Sequence, residues 1–191
     1  MEGIVSRPKY EPGAKTARDQ VIESFWALLE RKPYEKMGVR EIIRAAEVNK
    51  NTFYHHFENI EDLAQQAIDE ALPKELCKFF LMEGGSARKD ALFLMSAPYT
   101  AARFDRVKVM LSDNGVALQG RVKLKVIDAW REALGLDAFS EIQRRLALFL
   151  AGGIISTLQG RDPREYPTVL SELAGTKPLQ AFMEELSSWK S

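Results

Sequence analysis

The sequence predicts an all-α fold in which a small three-helix module is joined by a fourth helix to a larger helical body. Apolar residues recur at intervals of three and four along most of the 191-residue chain, which is the period of an amphipathic helix. No segment alternates apolar and polar residues with the period of two that is typical of a half-buried strand. Turn-forming residues divide the chain into segments of helical length.

Four helices are predicted before Pro73. Asn49 and Asn59 stand just ahead of the third and fourth helices, where a short amide side chain can accept a hydrogen bond from a free backbone N–H. The turn Glu47-Val48-Asn49 separates the second helix from the third. The apolar positions that define the four helices are Val21, Phe25 and Leu28; Val39, Ile42, Ile43 and Ala46; Phe53 and Phe57; and Ile60, Leu63, Ala64, Ala67, Ile68 and Ala71.

Longer helices are predicted after Pro73. The breaks between them lie at Gly84-Gly85 and at residues 113–115, 135–137, 160–163 and 175–178, where Gly, Pro, Asn and Asp concentrate. We therefore expect three parts, which are a flexible arm over residues 1–14, the small module over residues 15–72 and the helical body over residues 73–191.

Charge gives little support to nucleic-acid binding. The chain has 27 Lys plus Arg and 27 Asp plus Glu, and residues 1–60 carry 10 basic and 9 acidic side chains. Zero net charge does not exclude DNA as a partner, because the distribution of charge matters more than its sum. Any such function must therefore rest on motif and geometry.

Cysteine and hydropathy favour a cytoplasmic protein. The single cysteine, Cys77, cannot form an internal disulfide, which fits a reducing compartment. The longest near-continuous apolar run, Leu146 to Ile155, has ten residues, about half of the roughly 20 that a membrane-spanning helix needs. The first 20 residues contain no apolar stretch typical of a signal peptide. We expect neither membrane association nor secretion.

Catalytic chemistry has little support. His55 and His56 are adjacent, so on a helix they point about 100° apart and cannot both bind one metal ion. No pair of cysteines and no His-x-x-x-His motif offers another site. Cys77, next to Leu76 and near Phe79, is interpreted as a packing residue, with redox sensing as the alternative. We expect a protein that is not an enzyme and that uses no metal or cofactor.

Two short helices joined by a three-residue turn and preceded by a longer helix form the pattern of a helix-turn-helix. The third helix carries donors and acceptors on every side that Phe53 and Phe57 do not occupy, and such groups can reach base edges and phosphates in a DNA groove. Composition alone is equally compatible with an exposed, solvated helix. The polar residues of this helix are Lys50, Asn51, Thr52, Tyr54, His55 and His56.

The stretch from Gly38 to Leu63 resembles the N-terminal helix-turn-helix of the TetR family of bacterial transcriptional regulators. Its most specific part is the block Thr-Phe-Tyr-His-His-Phe at residues 52–57, followed six residues later by Leu63. The resemblance extends over about residues 15–70. The rest of the chain shares only its helical character with the family, although residues 148–155 are similar to a dimerisation helix common in the family.

The resemblance implies a homodimer whose two modules dock in successive major grooves of a palindromic operator, most often as a repressor. The body would dimerise and bind an unknown small-molecule effector that releases the DNA. By position, the resemblance makes Arg40, Asn49, Lys50, Asn51 and His55 candidates for base contact, and Thr52, Tyr54, His56, Lys15 and Arg18 candidates for phosphate contact.

Three positions depart from the family pattern. Gly38 stands where a Thr is usual, so the side-chain cap of the second helix should be missing, and Ile60 stands where a phosphate-pairing Lys is usual. The usual turn glycine is replaced by Glu47. Loss of a charge-assisted contact predicts weaker or less salt-tolerant DNA binding. The alternative function is therefore a TetR-like protein adaptor or coactivator with weakened operator binding.

The body holds two further sets of candidates. Aromatic and sulfur-containing residues could line an effector cavity, or they could form an ordinary core: Phe79, Phe80, Phe93, Met95, Tyr99, Phe104, Met110 and Trp130. The run from Leu146 to Ile155 is apolar on all sides, which a helix with one buried face would not be. Its interpretation as a dimer interface involves Leu146, Phe149, Gly152, Gly153 and Ile155, and the alternative is that it belongs to the core of one subunit.

Overall fold

A computed structural model describes residues 15–78 and 98–189. Within these ranges every regular element is helical, as the periodicity predicted. The expected arm over residues 1–14, the break at Gly84-Gly85 and the side chains of Phe79, Phe80, Phe93, Met95 and Tyr99 lie outside the described part. The helices are α1 (Ala17–Leu29), α2 (Val39–Ala45), α3 (Lys50–His56), α4 (Ile60–Ala71), α5 (Lys74–Cys77), α6 (Pro98–Leu111), α7 (Gln119–Ala133), α8 (Glu141–Leu158), α9 (Tyr166–Gly175) and α10 (Lys177–Ser188).

The first helix is fixed at its start by a capping box. The Thr16 side chain accepts a hydrogen bond from the Asp19 backbone N–H, and the Asp19 carboxylate accepts one from the Thr16 N–H. This exchange pairs two backbone donors that would otherwise lack partners. One face of α1 is buried and packs against α2, α3, α4 and α6. It therefore serves as the support of the whole N-terminal module.

Helix α2 begins at Val39, the first of its predicted apolar positions, and α3 directly follows the predicted cap at Asn49. No side chain caps α2 at Gly38, whereas Asn49 caps α3 by accepting from the Thr52 N–H at 2.8 Å. The turn between them ends α2 in a Schellman arrangement, in which the Val48 N–H bonds to the Ile43 carbonyl. Glu47 stands at the left-handed position of that turn, with φ at 53°, a conformation that usually requires glycine.

The fourth helix connects the module to the body. Asn59 caps it by accepting from the Asp62 N–H at 2.8 Å. Its buried residues include Leu63 and Ala71, and the cluster of buried side chains to which they belong runs without interruption from Val21 to Ala174. The predicted boundary at Leu72 and Pro73 is thus a bend in the chain, and the two sides share a core.

The body is built around α6, α7 and α8, and the breaks predicted within it separate its described helices. Beyond α7, Gly135 adopts φ of 72°, and beyond α8, Gly160 adopts φ of 73°. Residues 113–118 form a short 3-10 helix instead of an open loop. A Cβ atom at Gly115 would lie 2.3 Å from the Met110 carbonyl oxygen, so this close approach of the backbone needs glycine.

Asp162 and Pro163 begin a new helical segment after the break at residues 160–163. The Asp162 carboxylate accepts from the Arg164 N–H at 2.9 Å, and the Arg164 guanidinium also donates to that carboxylate. These hydrogen bonds hold the pKa of Asp162 well below its usual range. A 3-10 turn at Pro163–Glu165 leads into α9, which returns against α8.

Replacing Glu47 with glycine should stabilise the protein by about 1 kcal/mol, because a left-handed conformation costs roughly 1–2 kcal/mol for a residue with a Cβ and some of that gain is offset by the flexibility of glycine. In thermal unfolding followed by circular dichroism, we expect the midpoint to rise by about 2–4 °C. The matched control is Glu30→Gly, since Glu30 is exposed with φ at −61°. That variant should unfold at a lower temperature. A destabilised Glu47→Gly variant would contradict the strain argument.

Candidate nucleic-acid interface

Helix α3 is held by two aromatic side chains on its inner side. Phe53 and Phe57 are fully buried, and their ring centroids lie 5.5 Å apart. The polar residues occupy the remaining surface of α3, where Lys50, Asn51, Tyr54 and His55 are exposed and Thr52 and His56 are half-buried. The burial of the two phenylalanines therefore decides which side chains α3 presents.

Tyr54 and Lys50 form one continuous surface along α3. The Tyr54 ring is 49% exposed and meets the Phe53 ring edge-on, with 5.3 Å between centroids. The Lys50 ammonium lies 5.8 Å from the centroid of the Tyr54 ring, within the range of a cation–π contact. Packing at its base orients Tyr54, which leaves its hydroxyl available to donate to an anionic oxygen.

Asn49 has a structural role that limits its part in recognition. Its side-chain oxygen accepts from the Thr52 N–H, which uses one of its two lone pairs and holds the amide against the helix end. An adenine contact through both amide groups needs that oxygen as well, so the cap restricts such a contact. Among the predicted base contacts, Asn51 is thus the amide whose two groups are both available.

Helix α2 adds a second basic residue that the sequence analysis missed. Arg40 is exposed as expected, and Arg44, four residues later, is exposed as well. Residues four apart share one face of a helix. That spacing was readable from the sequence and could have identified Arg44.

Two basic residues lie at the start of α1, and they differ in their surroundings. Lys15 is exposed. The Arg18 guanidinium donates to the Glu70 carboxylate and, at 2.8 Å, to the Gln66 side-chain oxygen, while it lies 5.9 Å from the Phe57 ring centroid. Arg18 therefore ties α1 to α4 and to the base of α3.

Ile60 is the first residue of α4, directly after the Asn59 cap. Its side chain is half-buried and packs against the core. The position lies at the module surface, and a longer side chain could extend from it into solvent. Gly38, at the start of α2, is exposed, and a Cβ atom added to it would meet no atom within 4 Å. The family threonine would therefore fit there sterically.

The residues predicted for dimerisation divide between two faces of α8. Phe149 is 80% exposed, Gly153 is exposed, and Leu146 and Gly152 are half-buried. Ile155 instead packs inside the helical body, because it continues the inward stripe formed by Ala147 and Ala151 at four-residue spacing. Two further apolar side chains on α8, at Ile142 and Leu148, are exposed and extend the outer face.

The effector candidates inside the described part are buried. Phe104 and Trp130 line a cavity in the body, whereas Met110 is fully buried and is absent from the lining. Cys77 also lines this cavity, and burial raises the pKa of its thiol to about 12. A protonated, buried thiol favours the packing role of Cys77 over redox sensing.

The described residues offer neither a metal cluster nor a membrane span. Across residues 15–78 and 98–189, no three His, Cys, Asp or Glu side chains come together in a way that could hold a metal ion. In the same ranges, no helix combines the length and the apolar character needed to cross a membrane.

Comparison with known proteins identifies the module. Residues 22–67 match the family model for bacterial regulatory proteins of the tetR family. The module is therefore similar to the N-terminal domain of that family. Over 63 residues it is 38% identical to the transcriptional regulator AcuR of Cereibacter sphaeroides. That match covers 33% of this chain and 29% of AcuR, so the likeness to AcuR is confined to about a third of either protein.

The fold also aligns with the crystal structure of AlkX, a TetR family repressor from Dietzia sp. strain DQ12-45-1b implicated in biodegradation of n-alkanes. The alignment covers 91% of this chain and 98% of AlkX, with 19% sequence identity and a TM-score of 0.42. The sequence likeness to the tetR family lies in the module, over residues 22–67.

We expect Cys77 to be almost unreactive in the folded protein. A pKa raised from 9.0 to about 12 lowers the thiolate fraction by roughly a thousandfold near neutral pH. Its reaction with an aromatic disulfide reagent at about pH 8 should be at least about a hundredfold slower in native buffer than in guanidinium chloride. Similar rates in the two solvents would restore redox sensing as the better interpretation.

Proposed function

We propose that the protein is a DNA-binding transcriptional regulator that binds a palindromic operator as a homodimer, acts as a repressor and is released by a small molecule. The main support is the geometry of α3. Phe53 and Phe57 are buried beneath it, and its polar and basic side chains point away from the core. A short helix presented in this way fits the major groove.

Within this proposal the contacts divide into two classes. Arg40, Lys50, Asn51 and His55 read base edges, because they are exposed and their groups can donate to or accept from bases. Thr52, Tyr54, His56, Lys15 and Arg44 contact phosphates, which position the module without specifying sequence. Asn49 and Arg18 act mainly by holding α3 in place.

The outer face of α8 supplies the proposed dimer interface. Phe149 and Ile142 are large apolar side chains that are mostly exposed in one subunit. Exposed apolar surface of this kind is typical of a face covered by a partner. A two-fold axis would pair α8 and α9 with their copies as a four-helix bundle.

Helices α6 and α7 offer a route by which an effector could act on DNA binding. Arg106 of α6 pairs with Glu23 of α1, and its guanidinium lies 5.9 Å from the Trp26 ring centroid. Asn114 lies in the segment that connects α6 to α7, and its side-chain amide donates to the Glu30 carbonyl at 3.1 Å. The body therefore contacts the C-terminal half of α1.

Helix α7 contacts α4 in a similar way, through an ion pair and a hydrogen bond. Lys125 pairs with Asp69, and the Arg121 guanidinium donates to the Glu61 carbonyl at 3.1 Å. Other residues of α6 and α7, such as Phe104 and Val126, line the cavity in the body. A ligand that displaced α6 or α7 would thus move the supports of the recognition helix.

A protein adaptor is the second candidate function. Two observations favour it, namely that no side chain caps α2 at Gly38 and that Ile60 offers no charge to a phosphate. The two functions differ in a gel shift at low salt with the DNA upstream of the protein's own gene. A shift supports the regulator, and an intact dimer without any shift supports the adaptor.

Two variants of α3 should weaken operator binding in different ways. Tyr54→Phe should lose roughly tenfold in affinity on every DNA sequence, because it removes one hydrogen bond to a charged group. Lys50→Ala should relax preference at one operator position by about 1–3 kcal/mol. Binding is measured by fluorescence anisotropy on an operator and on its single-base variants, with Lys177→Ala, an exposed lysine at the start of α10, as the control. Equal losses on all sequences for Lys50→Ala would place Lys50 in the phosphate class.

Ile60→Lys should tighten DNA binding by restoring a phosphate contact. The slope of the logarithm of the binding constant against the logarithm of salt concentration should steepen by about one unit per half-site. Leu124→Lys, which adds the same charge on an exposed position of α7, is the control and should leave the slope unchanged. An unchanged slope for Ile60→Lys, together with a lower melting temperature, would assign Ile60 to packing alone.

Gly153→Leu should separate the subunits. A Cβ atom at Gly153 would meet no atom within 4 Å in its own subunit, and leucine favours a helix by roughly 1 kcal/mol over glycine. The substitution is therefore tolerated by one subunit but clashes with a closely approaching partner. Sedimentation should show a monomer that keeps its helicity and loses operator binding. Gly120→Leu on α7, which has similar free space, should remain dimeric, and a dimeric Gly153→Leu variant would place the interface elsewhere.

A further inference from the structure

A groove open to solvent runs along the outer face of α7, between α4 and the segment that connects α7 to α8. Its volume is about 680 Å³, a size typical of small-molecule sites. Arg121 and Arg131 line it ten residues apart on α7, which corresponds to about 15 Å along a helix axis. None of its described lining residues belongs to the cavity in the body. The groove is therefore an elongated site of its own.

Most of the charges that line the groove already have partners. Lys125 pairs with Asp69, and Arg131 pairs with Asp128 at 2.8 Å. Lys74 pairs with a glutamate near the end of α7 at 2.6 Å. These ion pairs hold the walls of the groove together, and they leave little net charge of their own for an occupant.

Two guanidinium groups of the groove form no ion pair within residues 15–78 and 98–189. The Arg121 side chain is half-buried, and its guanidinium donates to the backbone carbonyl of Glu61 at 3.1 Å, which is a neutral acceptor. Arg144 lies in the first turn of α8 and is exposed. Among the described lining residues, Asp137 is the one carboxylate outside the ion pairs. The charge left without a partner is thus positive.

Apolar side chains lie along the middle of the groove. Leu124 and Ile127 stand between Arg121 and Arg131 on α7, and Phe139 lines the groove from the segment that connects α7 to α8. The Leu124 side chain is 54% exposed. Covering such surface with the apolar part of a ligand is favourable. One occupant could therefore use both the cations and the apolar surface.

We propose that this groove binds an elongated dicarboxylate whose two anionic ends are joined by an apolar chain. One carboxylate pairs with Arg121, the other pairs with Arg144, and the chain covers Leu124. A guanidinium binds a carboxylate through two parallel hydrogen bonds. Phosphate groups fit less well, because each carries up to two negative charges, more than a single guanidinium compensates.

This binding is independent of the proposed function, since it involves neither α3 nor the cavity in the body. The described lining of that cavity carries no ionised side chain at neutral pH. A dianion entering it would lose its hydration and find no opposite charge. A bound dicarboxylate therefore reports on the groove.

Three probes of similar length test the proposal on the full chain, namely suberate, octanoate and 1,8-octanediol. Affinities are measured by ligand-observed NMR titration at neutral pH and low ionic strength. We expect suberate to bind and octanoate to bind roughly tenfold more weakly, because it makes one charge-assisted contact fewer. The uncharged diol should bind more weakly still. Added salt should weaken the binding of suberate.

Substitutions in the groove should act on suberate in a defined pattern. Arg121→Gln and Arg144→Gln should each lower its affinity roughly five- to tenfold, so that suberate loses its advantage over octanoate. Asp137→Asn should raise the affinity about twofold, because it removes a carboxylate that repels the ligand. The matched control is Arg145→Gln, since Arg145 pairs with Glu141 and does not line the groove.

Leu124→Glu gives a second test that does not remove a contact between helices. Leu124 is exposed, so the variant should fold, and its added carboxylate should abolish the binding of suberate. Circular dichroism verifies the helicity of each variant.

The proposal is overturned if the folded wild type does not bind suberate at millimolar concentration, if octanoate binds as tightly as suberate, or if Arg121→Gln and Arg144→Gln lower the affinity no more than Arg145→Gln does. The gel shift is a separate test. A DNA shift without suberate binding would reject this inference and leave the regulator standing.

Discussion

The burial of Phe53 and Phe57 is the contact on which the module depends. Helix α3 has only seven residues, and an isolated helix of that length is unstable in water. Its existence therefore requires the two aromatic rings to pack against the rest of the module, with the Arg18 guanidinium against the Phe57 ring. Once they are buried, helical geometry dictates that Lys50, Asn51 and Tyr54 face outward. The surface offered to DNA is a consequence of the core beneath it.

The same core extends into the body, and the proposed regulation depends on this continuity. A flexible linker at Leu72 and Pro73 would have isolated the module from events in the body. Instead the cluster of buried side chains continues through Leu72 and Cys77 to Phe104. Polar contacts such as the ion pair between Lys125 and Asp69 help to fix the orientation of α7 relative to α4. Because packed interiors are nearly incompressible, under the proposed function a change in the cavity would be transmitted to α1 and α4.

The sequence predicted the module well because its signals are local. The caps at Asn49 and Asn59 and the four-residue spacing of Phe53 and Phe57 depend on a few neighbouring residues, and the helices begin where those signals stand. The left-handed turn was harder to predict, since Glu47 occupies a position equivalent to that of Gly135 in a second turn of the same type. There the tertiary fold overrides residue preference.

Properties that depend on distant parts of the chain were less predictable, in the module as well as in the body. Arg18 looked like a phosphate contact, but its partners Glu70 and Gln66 are about fifty positions away. Tyr166 gave no sign of lining a cavity with Phe104, because nothing local distinguishes it from an ordinary core tyrosine. Ile155 belonged to a run that is apolar on every side, so the sequence could not say which members face inward.

Helix α8 lines the cavity on one side and carries the proposed interface on the other, so under the proposed function an effector would have two ways to act. Its inner stripe, which includes Ala151 and Ile155, lines the cavity, while Phe149 and Gly153 lie on the outer side. A helix moves as a unit, so a shift that accommodates a ligand on one side alters the contact on the other. The distance between two modules in a dimer depends on that contact. An effector in the cavity would therefore change both the support of each α3 and the spacing of the pair.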